Sequence, residues 1–304
     1  MEWANALTSY KKRPKQVLKN ILGQMQELKQ TGELIIMCSQ NTKIKAVERL
    51  VQNIKKGGDV RIISSQFKNQ YILKNEGMRY ALGEIIIFID SDLIIEPGCI
   101  KTLLLSFKRK KVEIVSGAVH SDTSNIYDKA MALTWLFPLR SPDGEMYPDN
   151  KYNPSIVAAK RQIWEKYPFP KDRVLGCGSL VELADPMIQD GITIWHQPLV
   201  RVSHPTPSSF KRFLLRAMAD GLDNTLSWRR YHNVFISFIY LCAWFSIYGI
   251  IRNIRIIKYH KKVQMSYPLI PLAWIINTTY YGIAWIGGLL GLFNKRIAMR
   301  ICTK

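Results

Sequence analysis

Asn75-Glu76-Gly77-Met78-Arg79-Tyr80-Ala81-Leu82-Gly83-Glu84-Ile85-Ile86-Ile87-Phe88-Ile89-Asp90-Ser91-Asp92 is the stretch on which the fold turns. Residues Tyr71–Leu82 follow helical spacing, and Glu84–Ile89 carries an unbroken apolar run closed by two acids. A short apolar run bounded in this way reads as a strand buried on both faces. The pattern repeats on either side. Leu34–Met37 reads as a strand, Ile44–Lys55 as a helix and Val60–Ser64 as a strand; beyond the acids come a helix over Lys101–Lys110 and a strand over Val112–Ser116. Such alternation predicts an α/β fold with a mostly parallel sheet flanked by helices. Ligands of these sheets sit at the carboxyl ends of strands, where Asp90 and Asp92 fall. Residues two apart in extended chain project to the same side, so both carboxylates can converge on one hard cation, magnesium or manganese. That ion would neutralise a diphosphate and stabilise it as a leaving group. By itself, an Asp-x-Asp also reads as a polar loop capping the next helix, so its surroundings decide.

Charge and hydropathy divide the chain unevenly. The 304 residues carry 43 Lys+Arg against 23 Asp+Glu, a formal charge of +20. Residues 206–304 supply +12 of it, with Asp220 and Asp223 their only acids. The same region holds two uncharged apolar runs, Val234–Ile251 and Leu269–Phe293. The second is long enough for a transmembrane helix and the first is borderline. Arg252, Arg255, Lys258, Lys261 and Lys262 lie between them, a pattern suited to anionic lipid headgroups. If both runs cross, that basic linker falls on the side opposite the first domain, against the positive-inside tendency. Phe210–Asp223 has the stripe of an amphipathic helix, which fits either an in-plane interfacial helix or a surface helix packed on the first domain. The basic excess accompanies apolar runs rather than an aromatic-studded groove, so no nucleic-acid partner is expected. Five scattered cysteines without Cys-x-x-Cys spacing exclude a zinc ribbon and a dense disulfide framework. No Gly-x-Gly-x-x-Gly, Walker or His-Glu-x-x-His pattern occurs.

The block quoted above resembles the central signature of family 2 glycosyltransferases: Asn-x-Gly, a small-residue helix, Gly-Glu, an apolar strand and Asp-x-Asp. Glu96-Pro97-Gly98, Val115-Ser116-Gly117, Gly191–Trp195 and Val202-Ser203-His204 fit the rest of that pattern. Glu2-Trp3-Ala4-Asn5, Trp135-Leu136-Phe137-Pro138 and His204-Pro205-Thr206-Pro207 are similar to a membrane-associated branch of the family. Relative to that branch the chain starts inside the first strand, and that edge of the sheet is expected to be weakened.

The resemblance implies a GT-A type fold over residues 1–205, with a nucleotide-sugar donor, a divalent metal (Mn2+ or Mg2+) and inversion at the sugar carbon. Residues 206–304 would then form an interfacial helix and membrane-associated helices. Carried over by position, Asp90 faces the ribose or metal and Asp92 ligates the metal. His204 matches a histidine that completes the metal site in some relatives; a structural histidine at a strand end is the alternative. Asn5 and Ser39 fall where relatives hold the nucleotide base. Lys74 and Asn75 fall near the donor, with Lys74 either a phosphate contact or a solvated helix start. Two departures stand out. Met37-Cys38-Ser39-Gln40 lacks the acids that usually contact the nucleoside, and Ser179-Leu180 replaces the Glu-Asp pair that usually supplies the general base. The nearest acids, Glu182 and Asp185, share a helical face. Either could be the base, although Glu182 also suits a helix N-terminal turn and Asp185 before Pro186 suits the end of a turn. The implied function is a membrane-attached transferase on the cytoplasmic face acting on a lipid-linked or cell-surface glycan acceptor. The alternative is a catalytically silent scaffold that anchors a glycan-assembly complex.

Overall fold

The computed structural model describes residues 13–28, 32–54, 59–109, 111–121, 123–134, 144–171 and 180–293. Two compact units emerge. The first comprises 1–119, 139–172 and 180–204, and the second 120–138, 173–179 and 205–304.

In the first unit the chain runs α1 (Arg13–Glu27), β1 (Glu33–Cys38), α2 (Ile44–Ile54), β2 (Asp59–Ser64), α3 (Gln70–Tyr80), β3 (Ile85–Ile89), β4 (Ile94–Ile95), α4 (Cys99–Ser106) and β5 (Ile114–Ser121). After a helix of the second unit, α5 (Ile126–Thr134), come β6 (Tyr147–Asp149), β7 (Ile156–Lys160), α6 (Arg161–Lys166), α7 (Leu180–Gln189) and β8 (Ile194–His204). Strands β1 and β2 pair in parallel, Leu34 opposite Val60 and Ile36 opposite Ile62. The larger sheet has the order β3-β7-β5-β8-β4, with β6 also on β8. The α/β class holds, but this sheet is mixed. β7 runs antiparallel to both β3 and β5, and β4 and β6 run antiparallel to β8. Thus β3 and β5 keep a common direction with β7 inserted between them. Apolar periodicity carries no strand direction, so the expected mostly parallel sheet is corrected here to a parallel pair plus a mixed sheet.

Helices cover both faces. Val17 and Ile21 of α1 join Leu103 of α4 and Val200 of β8 in one buried cluster. Trp164, Phe169, Leu183 and Met187 join Ile86 and Val157 in another. Close approach is made possible by glycine at Gly117, where a Cβ would lie 2.5 Å from Val200 Cγ1 and 2.8 Å from its carbonyl oxygen. Strands β1 and β3 face a shared cavity of about 710 Å³, lined by residues 33–37 and 83–91 together with apolar residues of α1 and α3. Lys74, Asp90 and Ser91 also line it.

The second unit adds α8 (Phe210–Tyr231), α9 (Val234–Ala243), a π-helical turn over Trp244–Tyr248, α10 (Gly249–Tyr259) and α11 (Ile270–Phe293) to α5. Ser209 caps α8, its hydroxyl accepting from Arg212 N–H, and Asn233 caps α9 by accepting from Ile236 N–H. Helix α8 runs on to Tyr231, eight residues beyond the stretch expected from sequence. Val234–Val263 and Tyr267–Phe293 are both long and apolar enough to cross a membrane by length and composition.

Candidate active site

The rim at the end of β3 is built by three segments. The Asp90 N–H donates to the Ser155 carbonyl at 3.0 Å, and the Asp90 carbonyl accepts from Leu93 N–H at 3.2 Å. The acid-bearing turn is thereby fixed at both of its backbone polar groups. Gln24 of α1 braces the segment that follows: its Nε2 donates to the Glu96 carbonyl at 2.8 Å and its Oε1 accepts from Ile100 N–H at 3.0 Å. Between these points Glu96-Pro97-Gly98 makes a turn in which Gly98 takes φ +76°, a conformation that favours glycine.

Lys74 of α3 reaches the same rim. Its Nζ lies 2.8 Å from Asp90 Oδ1, with both side chains 11% exposed. The ammonium also donates to the Pro154 carbonyl and lies 5.5 Å from the Phe169 ring centroid and 6.0 Å from that of Phe88. Burial by itself would push the Asp90 carboxyl up. The Lys74 charge and hydrogen bonds from Lys74 and Ser155 overcome this and hold it below the ordinary aspartate value. Asp90 is therefore an ionised, oriented carboxylate, and Lys74 is its buried counter-ion.

Asp92, half-buried, follows in the turn. The β4–β8 register sets Ile94 opposite Ser203; continued by one residue it places His204 across from Leu93, beside Asp92. His204 is 8% exposed. By this register His204 lies near the segment that carries Asp92, and Asp90 lies two residues back along the chain. Among the described residues, however, no three His, Cys, Asp or Glu side chains gather closely enough to hold a metal ion.

The other sequence-derived candidates separate. Asn75 clamps a neighbouring loop: its Nδ2 donates to the Phe169 carbonyl at 2.8 Å, and its Oδ1 accepts from Phe169 N–H at 2.9 Å. The clamp seats the Phe169 ring against Tyr71 and Trp164. Ser39 is buried after β1, with its hydroxyl 3.1 Å from that of Thr42. Asp185 lies on α7 away from the buried Leu183, Ala184 and Met187, and the helix continues through Pro186 to Gln189 rather than ending in a turn. Glu182 lies in the first turn of α7, its side chain outside the described residues, and Asn5 lies outside them altogether. Sequence reasoning missed Ser155, Pro154, Gln24 and Phe169. Only Phe169 carried a signal, an aromatic between Pro168 and Pro170; such residues favour extended chain that can press a ring into a core.

A sequence profile described as Glycosyl transferase family 2 matches residues 15–164, the span that contains β3, Asp90 and Asp92. The chain belongs to this family. Among solved structures, the mannosyltransferase PcManGT from Pyrobaculum calidifontis, in complex with GDP-Man and Mn2+, resembles this glycosyltransferase with a TM-score of 0.56 at 14% identity, covering 92% of this chain and 84% of that one. TarS 1–349 from S. aureus matches with a TM-score of 0.47 at 12% identity over 93% and 88% of the two chains. Glucosyl-3-phosphoglycerate synthase from Mycobacterium tuberculosis, with Mn2+, UDP-Glc and phosphoglyceric acid, gives 0.42 at 17% over 64% and 69%. At these identities the likeness is one of fold. It is the first of the three that shows this family 2 glycosyltransferase to have the GT-A fold. No curated protein sequence matches the chain.

Proposed function

We propose that this glycosyltransferase moves a sugar, with inversion, from a nucleoside diphosphate to a hydroxyl of a lipid-linked or cell-surface glycan acceptor while attached to the cytoplasmic face of a membrane. The observation that carries the reading is the pair Asp90 and Asp92 at the carboxyl end of β3, within the family 2 match. Two carboxylates fit a hard cation whose remaining positions are filled by substrate phosphates and water. Asp90 and Asp92 would hold it, with His204 adjacent, and Mn2+ in the P. calidifontis complex supports that choice. The cation would supply charge neutralisation of the departing diphosphate. The lowered Asp90 carboxyl supports this role, because Lys74 keeps it ionised and oriented before any ligand arrives. Inversion in one displacement also needs a group to accept the acceptor hydroxyl's proton as the new C–O bond forms and the bond to diphosphate breaks. Glu182 or Asp185, near the start of α7, is assigned to it. Attachment to the membrane is supported by the two long apolar helices of the second unit.

Purified chain in detergent with Mn2+ and a panel of nucleotide sugars should release nucleoside diphosphate from at least one donor. Asp92→Ala should lower that release by about 100-fold or more, the scale of lost electrostatic stabilisation of a leaving group. Equal release by parent and variant would overturn the reading in favour of a silent scaffold.

A further inference from the structure

The second unit inverts the usual arrangement of a long apolar helix. From Val234 to Phe293 there is no acidic residue, while five basic residues stand between 252 and 262. On α10 the exposed Ile250, Ile254 and Ile257 form one stripe at helical spacing; Arg255 and Lys258 lie beside it, and Lys262 follows in the 3-10 turn His260–Val263. Phe235 and Ile239 extend the apolar stripe along α9, being 71% and 50% exposed.

The inner side of the same helices is tied to polar and charged groups around the middle of α11. In its first half, Asn277 Nδ2 donates to Asn253 Oδ1 at 2.9 Å, and Tyr281 is hydrogen-bonded to Arg252. At the adjacent position α11 meets α8, where Tyr280 donates to Asp220 and Asp220 pairs with Arg216 at 3.3 Å. The helices touch at backbone level. A Cβ on Gly221 would stand 1.7 Å from the Ala284 carbonyl oxygen, and one on Gly287 would stand 2.1 Å from that of Met218. A crossing α11 would therefore carry Arg216, Asp220, Asp223 and Arg252 toward hydrocarbon depth with it. Ionisable groups there are costly and rare.

We propose that α9, α10 and α11 do not cross the bilayer but lie in the plane of one leaflet rich in anionic lipid. The Phe235–Ile257 face enters the acyl boundary, and Arg255, Lys258 and Lys262 meet headgroup phosphates. This arrangement has the marks of a monotopic helix: an apolar face, a basic flank and polar groups turned from the lipid. It also removes the conflict with the positive-inside tendency, because the basic linker stays on the side where the chain entered. The inference rests on the membrane attachment proposed above, and its test separates the two.

Full-length chain is expressed with Asn233→Cys or Ser266→Cys, residues at opposite ends of the helical hairpin. Sealed right-side-out and inverted membrane vesicles are treated with an impermeant maleimide, and labelling is read peptide by peptide. An in-plane hairpin gives labelling of both positions in inverted vesicles and of neither in right-side-out ones. Labelling of the two positions in opposite vesicle preparations would show a crossing and overturn the inference while leaving attachment intact. Recovery of the chain in the soluble fraction alone would overturn attachment and the inference together. On phosphatidylcholine vesicles containing phosphatidylglycerol, the triple variant Arg255→Gln, Lys258→Gln, Lys262→Gln should bind about 100-fold more weakly than the parent. Unchanged binding would refute the headgroup contact.

Discussion

The two units solve burial in opposite ways. In the first, Leu93, Leu103, Ile114, Val157 and Trp164 are all at most 1% exposed, and charge gathers at a rim. In the second, Phe235, Ile250 and Ile254 are more than half exposed, while Asp223, Thr225, Ser237 and Asn277 are wholly buried. The surroundings to which each is matched differ. The first unit packs a sheet away from water, whereas the second exposes apolar side chains and buries polar groups among its apolar clusters. The proposed carboxylate rim belongs to the former and the proposed means of attachment to the latter.

The contrast is broken most severely by filling the groove between α8 and α11. Gly221→Leu places side-chain atoms where the Ala284 carbonyl already lies, and overpacking of this kind costs about 3 kcal/mol or more. Calorimetry should show loss of the second unit's transition and of vesicle binding, with the first unit's transition retained. A single, jointly shifted transition would mean that the units do not unfold separately. The reverse test targets the Asn75 clamp. Asn75→Ala strands two backbone groups of Phe169 and should cost about 2 kcal/mol in the first unit, read from its urea midpoint, without altering vesicle binding.

The smallest expected effect concerns pH. Burial would raise the Glu33 carboxyl, but hydrogen bonds from Leu82 N–H, Arg61 and Gly83 N–H hold it below the ordinary value. Its contribution is therefore present above about pH 4.3, the unperturbed glutamate value, and is lost as pH falls through the lower folded value. Glu33→Gln should lower the first unit's stability by no more than about 1 kcal/mol at neutral pH and flatten its acid limb between pH 5 and about 3. Urea midpoints across that range check it, and an unaltered acid limb would assign the loss to other carboxylates.

What the sequence revealed was local. The apolar run ending at Asp90-Ser91-Asp92 identified β3 and its rim because burial on both faces leaves no polar residue until the strand ends. The helices of the second unit were visible from their long uncharged apolar runs. Strand direction was not, since Ile156–Lys160 is equally apolar whichever way it runs. The Lys74–Asp90 pair, the Asn75 clamp and the Gln24 brace join residues 16 to 94 positions apart, and no short-range pattern encodes such contacts. Lys74 and Asn75 were placed near the donor from position alone; their partners emerge only when α3, β3 and the Phe169 loop are assembled.

The carboxylate rim is tested most directly by titrating nucleoside diphosphates into the intact chain in detergent, with and without Mn2+, using parent and Asp92→Asn. Mn2+ should strengthen binding of one diphosphate at least about tenfold in the parent, roughly 1.4 kcal/mol, and should not do so in Asp92→Asn. Binding that is the same with and without the ion in both proteins would contradict a metal-bridged diphosphate at Asp90 and Asp92.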